Sequence, residues 1–162
     1  MEVNCVLHRI SQSDLSVEEK ELLERAHEAA QGAFAPYSDF RVGAAARMSN
    51  GAIVVGSNQE NIAYPSGICG ERAAVFAAGA QYPNEQIVAL ATVSPSPIAE
   101  SLGFAPCGSC RQVLLESELR QSNAIKLLFQ VRNEDILVSE SADNLMPFSF
   151  RLKDDGLKRN RS

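Results

Sequence analysis

The chain has no tryptophan, and its aromatic residues make up only 6% of 162 positions. Any stacking contact must therefore come from a short list of Phe and Tyr. It has no excess of basic residues either. Fifteen Lys and Arg against twenty Asp and Glu give a formal net charge of -5, which argues against a nucleic-acid binder, since phosphate backbones are held by clustered Lys and Arg. The basic stretch Lys158-Arg159-Asn160-Arg161 reads as a solvated end. No apolar run approaches the length of a membrane span, and residues 1–30 lack the basic-then-apolar pattern of a signal peptide. A cytoplasmic address is the default expectation. Internal repeats and low-complexity stretches are also missing. What is present, 45% apolar and 22% charged residues, is the composition of one ordinary globular domain long enough to bury a core.

Cysteine is scarce, with four in the chain, and in a reducing compartment close spacing points to metal binding or catalysis rather than to disulfides. Cys107-Gly108-Ser109-Cys110 is a Cys-x-x-Cys pair preceded by Pro106, and Cys69 is followed two places on by Glu71. Cys5, within Val3-Asn4-Cys5-Val6-Leu7, reads as a small buried apolar residue.

Periodicity alternates between helix and strand. Ser16 and Glu19 form a capping box that opens a helix over about 17–32, carried by Leu22, Leu23, Ala26, Ala29 and Ala30. Residues 41–48 and 52–57 read as a hairpin around Asn50-Gly51. Helices are expected over 71–80 and 108–119, and strands over 86–93, 126–131 and 135–138. Residues 94–105 form the one long irregular connection. The pattern predicts an α/β fold with one mixed sheet of about five strands and helices packed on it. Residues 1–15 read as an N-terminal extension able to add an edge strand, 16–152 as the domain, and 153–162 as a polar tail.

Both cysteine groups fall where a loop becomes a helix. In a first turn, unpaired N–H groups and the helix dipole favour negative charge and so the thiolate that binds zinc. Three thiolates make a soft tetrahedral site with one position open, as a catalytic zinc requires. The order Cys-x-Glu then Pro-Cys-x-x-Cys resembles the signature of the zinc deaminases, in which the Glu is the general acid/base and not a ligand.

The resemblance is wider than that motif. Residues 35–45 (APYSDFRVGAA), Asn58-Gln59-Glu60-Asn61 with Ala63-Tyr64, residues 67–72 (GICGER), residues 106–113 (PCGSCRQV) and residues 145–150 (LMPFSF) follow the segments of cytidine deaminases in order. The chain is thereby identified as a member of the cytidine deaminase family, in its short three-cysteine form, and a three-layer fold is expected. The resemblance implies Cys69, Cys107 and Cys110 as zinc ligands and Glu71 as the proton shuttle. It implies Phe40 packing against the pyrimidine, Asn58 and Glu60 holding the ribose hydroxyls, and Arg72 hydrogen-bonding the thiolates. Phe150 would reach into a neighbouring subunit's site, making the enzyme a homotetramer with shared active sites. Gly70 stands where the family usually has Ala. Its backbone contacts the base edge in the family, so looser positioning is expected there. The implied reaction is hydrolysis of cytidine, and of deoxycytidine, to the uridine and ammonia in pyrimidine salvage. The partner would be a small nucleoside, with no polynucleotide and no membrane.

Physical chemistry supports these roles separately. Three thiolates give the zinc site a net negative formal charge, which opposes ionisation of a bound water whose pKa is about 7 at a site with neutral ligands. Two helix N-termini and Arg72 would compensate. Simpler readings stand beside each role. The three cysteines could hold a structural zinc with Cys5, His8 or His27 as a fourth ligand. Glu71 and Arg72 could be a solvated first-turn pair, Phe40 and Phe150 core residues, and Asn58 a turn cap. A deaminase of the same fold acting on another nucleoside or base analogue is the nearer alternative. His8 and His27 read as ordinary surface residues.

Overall fold

The computed structural model describes residues 1–151. The tail expected at 153–162 lies outside the described residues. Three helices and six strands are arranged as one mixed sheet covered on both faces. Strands β1 (His8–Ile10), β2 (Gly43–Met48), β3 (Ile53–Ser57), β4 (Ile87–Ser94), β5 (Lys126–Val131) and β6 (Ile136–Ser139) lie in the order β1-β6-β5-β4-β2-β3. Only β4 and β5 run parallel, and all other neighbours are antiparallel.

The capping box forms as expected at the start of α1 (Val17–Gln31). Ser16 Oγ accepts from the Glu19 N–H at 3.2 Å, and the Glu19 carboxylate accepts from the Ser16 N–H at 2.9 Å. Leu22, Leu23, Ala26 and Ala30 then bury one stripe of α1 against Ala45, Ala91, Val93, Leu128, Ile136 and Val138 on one sheet face. Helices α2 (Gly70–Gln81) and α3 (Gly108–Leu119) cover the other face, over a core that includes Leu90, Leu114, Leu127 and Phe129. The result is three layers, α/β/α.

Two glycines let the layers approach this closely. A Cβ on Gly43 would lie 2.0 Å from the Ala26 carbonyl oxygen, and one on Gly56 would lie 2.4 Å from the Ala74 nitrogen. Backbone occupies the space a side chain would need on either face of the sheet, so α1 sits directly on β2 and α2 directly on β3.

The sheet has six strands where about five were expected. The additional strand is β1, at the edge where the N-terminal extension was read as able to add one, paired antiparallel with β6 from His8↔Val138 to Ile10↔Ile136. It is short and largely exposed, so its residues carry no alternation of burial to read. A side chain extends its pairing: the Asn144 amide accepts from Val6 N at 3.0 Å and donates to Val6 O at 2.8 Å. Strand β2 begins at Gly43 rather than 41 because side chains replace the ladder before it. Arg41 N donates to Ser96 Oγ at 2.8 Å and Val42 N to Asn58 Oδ1 at 2.8 Å. His27 is not an ordinary surface residue: half-buried on α1, its Nε2 lies 2.9 Å from Gln130 Oε1 on β5. Cys5, read as buried, is exposed.

Candidate metal centre and active site

Cys69 is the N-cap of α2 and Cys107 the N-cap of α3. Cys110 lies three residues into α3, so the Cys-x-x-Cys spacing puts its thiol beside that of Cys107 at the helix mouth, the positions a capping box would use. The two N-termini converge, and the three Sγ atoms lie within 4.8 Å of one another. Cys69 and Cys107 are separated by 4.0 Å and Cys107 and Cys110 by 3.4 Å. These distances are far beyond a disulfide at about 2.05 Å. They bracket the roughly 3.8 Å expected between two thiolates on one tetrahedral zinc with bonds of about 2.3 Å. The donor set therefore fits zinc. Among the described residues, Cys5, His8 and His27 are not part of the cluster, so the fourth ligand of a structural site is not supplied from those positions.

The thiols divide their charge unequally. The Cys110 thiol hydrogen-bonds Cys69 and, despite burial and with help from Arg72, pulls the Cys69 thiol down to about 5. Cys110 is pushed up by the same contact with Cys69 and by its burial. Metal binding takes all three as thiolates and so releases whatever proton the cluster holds. Arg72, in the first turn of α2, directs Nη2 to Cys69 Sγ at 3.7 Å. Glu71 is 6% exposed. Burial pushes its carboxyl up to about 7, against the opposing effect of its own backbone N–H and of the Arg72 charge.

Above the cluster lies a cavity of about 750 Å³, within the range of small-molecule sites. It brings Phe40, Asn58, Glu60, Gly70, Glu71, Arg72, Cys69 and Cys107 to one concavity. Asn58 follows β3 and grips the backbone on either side of Phe40. Its Nδ2 donates to Phe40 O at 2.8 Å, and its Oδ1 accepts from Val42 N at 2.8 Å. Glu60 accepts from Tyr37 N at 2.9 Å and from the Ser38 hydroxyl, and these hydrogen bonds hold its carboxyl below the usual range. At Gly70 a Cβ would stand 3.1 Å from Val42 O and 3.5 Å from Asn58 N. A methyl group there would press on the pair that fixes Phe40.

Phe150 does not line this cavity. Its ring is 77% exposed, while its carbonyl accepts from Gln112 Nε2 at 3.1 Å. The structure also adds residues that the sequence reading assigned no role. Phe104 packs against Phe40 with ring centroids 6.3 Å apart. Tyr37 and Tyr64 meet edge-on at the rim at 6.0 Å. Ser38 links Glu60 to Phe40, whose N–H donates to Ser38 Oγ at 3.0 Å. The signal for Phe104 was its place at the end of the irregular connection, three residues before Cys107.

Comparison with known proteins agrees with this geometry. Residues 16–125 match the family model described as the cytidine and deoxycytidylate deaminase zinc-binding region. The cytidine deaminase of Halalkalibacterium halodurans is 35% identical over 133 residues, which cover 82% of this chain and 94% of that protein. Among solved structures, cytidine deaminase from Burkholderia pseudomallei superposes with a TM-score of 0.70 at 33% identity, covering 84% of this chain and 100% of that one. That of Mycobacterium tuberculosis gives 0.63 at 35% identity, covering 85% and 100%. With the converged thiol cluster, the buried glutamate and a match over most of its length, the chain belongs to the cytidine and deoxycytidylate deaminase family, a family of zinc-binding hydrolases.

Proposed function

We propose that the chain hydrolyses cytidine and 2′-deoxycytidine to the corresponding uridine and ammonia. The observation that carries this is Glu71, buried, two residues after Cys69, and lining the same cavity as Cys69 and Cys107 of the three-thiol cluster set on two converging helix N-termini. Zinc held by Cys69, Cys107 and Cys110 supplies the Lewis acid that makes water acidic near neutral pH. Glu71 accepts a proton from the attacking water as the water oxygen bonds to C4 of the pyrimidine, and delivers the proton to N3. It then takes the remaining proton from the C4 hydroxyl and gives it to the amine, so that the C4–N bond breaks, ammonia leaves and C4 becomes the carbonyl of the uridine. Arg72 keeps the Cys69 thiolate hydrogen-bonded and offsets the negative charge of the cluster. Phe40, backed by Phe104, provides the apolar wall for the ring.

Asn58 and Glu60 serve the sugar hydroxyls. The only charged side chains lining the cavity, among the described residues, are Glu60, Glu71 and Arg72. Arg72 is turned toward Cys69, which leaves no cation for a 5′-phosphate and favours a free nucleoside. The catalytic domain is taken to begin at residue 16, where the family match begins, with the preceding residues an extension. The enzyme works as a homotetramer in which Phe150 contributes to a neighbouring site, and its setting is cytoplasmic pyrimidine salvage. Its exposed apolar side chains, Ile62, Tyr64, Phe76, Phe148 and Phe150, support that assembly.

The test is the loss of ultraviolet absorbance on mixing zinc-assayed protein with cytidine, beside the Glu71→Gln variant. Turnover by the wild type with about one zinc per chain, and retained zinc without turnover in Glu71→Gln, is the expected result. Wild-type rates in Glu71→Gln would remove the proton role. Zinc without turnover in the wild type would leave the metal centre and remove the substrate.

A further inference from the structure

The connection between β4 and α3 carries Phe104, Ala105 and Cys107 into the cavity, yet residues 95–100 form no helix or strand. The turn between β5 and β6 holds it. Arg132 stands in that turn with φ at 51°, a left-handed backbone that favours Gly or Asn over a long side chain. Its N–H donates to Ser94 O at 2.8 Å, continuing the sheet past the end of β5. Its Nη1 lies 3.3 Å from Ser96 O, 3.3 Å from Pro97 O and 3.1 Å from Ala99 O. Its Nη2 pairs with Glu134, which also accepts from the Ser101 hydroxyl.

The buried Ser96 carries this hold across to the other wall of the cavity. Ser96 Oγ donates to Asp39 O at 3.1 Å and accepts from Arg41 N at 2.8 Å. These are the two residues flanking Phe40. One guanidinium outside the cavity thus fixes the loop that ends in Phe104 and, through Ser96, the backbone that presents Phe40. A planar cation with five donors suits such a cluster of carbonyls.

We propose that Arg132 is a positioning residue for the deamination, clamping the 95–101 loop so that Phe104 and Phe40 form one fixed wall for the pyrimidine. The inference rests on the reading that this wall receives the ring. Arg132 touches neither substrate nor metal ligand. Removing its donors therefore loosens ring binding and leaves the proton chemistry of Glu71 in place.

Arg132→Met keeps the aliphatic stem, the left-handed backbone and the backbone hydrogen bond to Ser94 while removing every side-chain donor, so backbone strain is unchanged between the two proteins. The expected result is a KM for cytidine raised about ten-fold, equivalent to about 1.4 kcal/mol, with kcat within about three-fold. Zinc content stays that of the wild type. Thermolysin cuts the variant within 95–104 under conditions that spare the wild type, because the backbone around the already exposed Ile98 and Leu102 is no longer held and Phe104 comes free. Arg132→Lys, which restores a cation with three donors, recovers most of the KM and the protease resistance. If the wild type turns over cytidine and Arg132→Met shows an unchanged KM and an intact loop, the inference fails alone. A parallel fall of kcat and zinc content also overturns it, because that marks general loss of fold. A wild type that does not act on cytidine is a failure of the functional reading itself.

Discussion

Glu60 shows how closely binding and local structure are joined in this site. Its carboxylate holds Tyr37 N and the Ser38 hydroxyl, so the acceptor assigned to a sugar hydroxyl also pins the segment that leads to Phe40. Hydrogen bonds to a charged group are worth about 1.5–3 kcal/mol. Glu60→Ala is therefore expected to raise KM for cytidine on the order of 10- to 100-fold with zinc content unchanged. A substrate without the sugar hydroxyls separates the two roles: for 2′,3′-dideoxycytidine the penalty should shrink to whatever loop loosening remains. Equal penalties on both substrates would remove the sugar contact. The residue types at this scale were legible as motifs, and the chemistry and spacing of Cys69, Cys107 and Cys110 mark them as a cluster that could hold zinc. The partners of Glu60 and Asn58 were not legible. They lie 16 to 23 positions away, and no periodicity links a loop carboxylate to a backbone N–H at that distance.

At the scale of elements, close approach and capping decide where helices sit. Gly56 faces α2 with no room for a methyl, since a Cβ would meet Ala74 N at 2.4 Å and Gly70 O at 2.8 Å. Gly56→Ala must push α2 away, and with it the helix end that carries Cys69. A loss of about 3 kcal/mol in denaturant unfolding is expected, at the upper end of overpacking costs. An unchanged midpoint would show that α2 can shift freely.

The capping box of α1 gives a pH prediction. Burial pushes the Glu19 carboxyl upward, but hydrogen bonds from Lys126 and from the Ser16 N–H outweigh it, and the net shift is downward from the ordinary 4.5. A carboxyl whose folded pKa is depressed contributes stability above its unfolded pKa and loses it as pH falls through the folded one. Lys126 Nζ lies 2.8 Å from Glu19, and its own shift is upward, so its part persists through neutral pH. Glu19→Gln should cost about 0.5–1 kcal/mol from pH 6 to 8. The difference from wild type should close below about pH 4. A difference that persisted in acid would show that charge is not its source.

For the whole molecule, the proposed assembly accounts for side chains that the single chain leaves in water. Phe148 and Phe150 are 79% and 77% exposed, and the Phe150 carbonyl accepts from Gln112 on α3. The wild type is expected to run as a tetramer by light scattering. Phe150→Ala should lower kcat/KM by roughly ten-fold or more, of the order of losing one buried aromatic contact, while keeping its zinc. A fully active monomer would contradict the shared site.

The sequence alone determined the chemistry and most of the elements. Capping residues, apolar periodicity and cysteine spacing act within a few positions of the chain, so α1, α3 and the two helix starts bearing the thiols could be read directly. Tertiary structure decided the rest. It recruited residues 8–10 as a sixth strand, because an open backbone edge on β6 accepts a partner whatever its side chains. It set Phe104 against Phe40, and it placed Arg132 beneath a loop more than thirty residues away. Contacts of that kind form only when the sheet brings the start of β2 beside the ends of β4 and β5, and no local pattern in the chain records them.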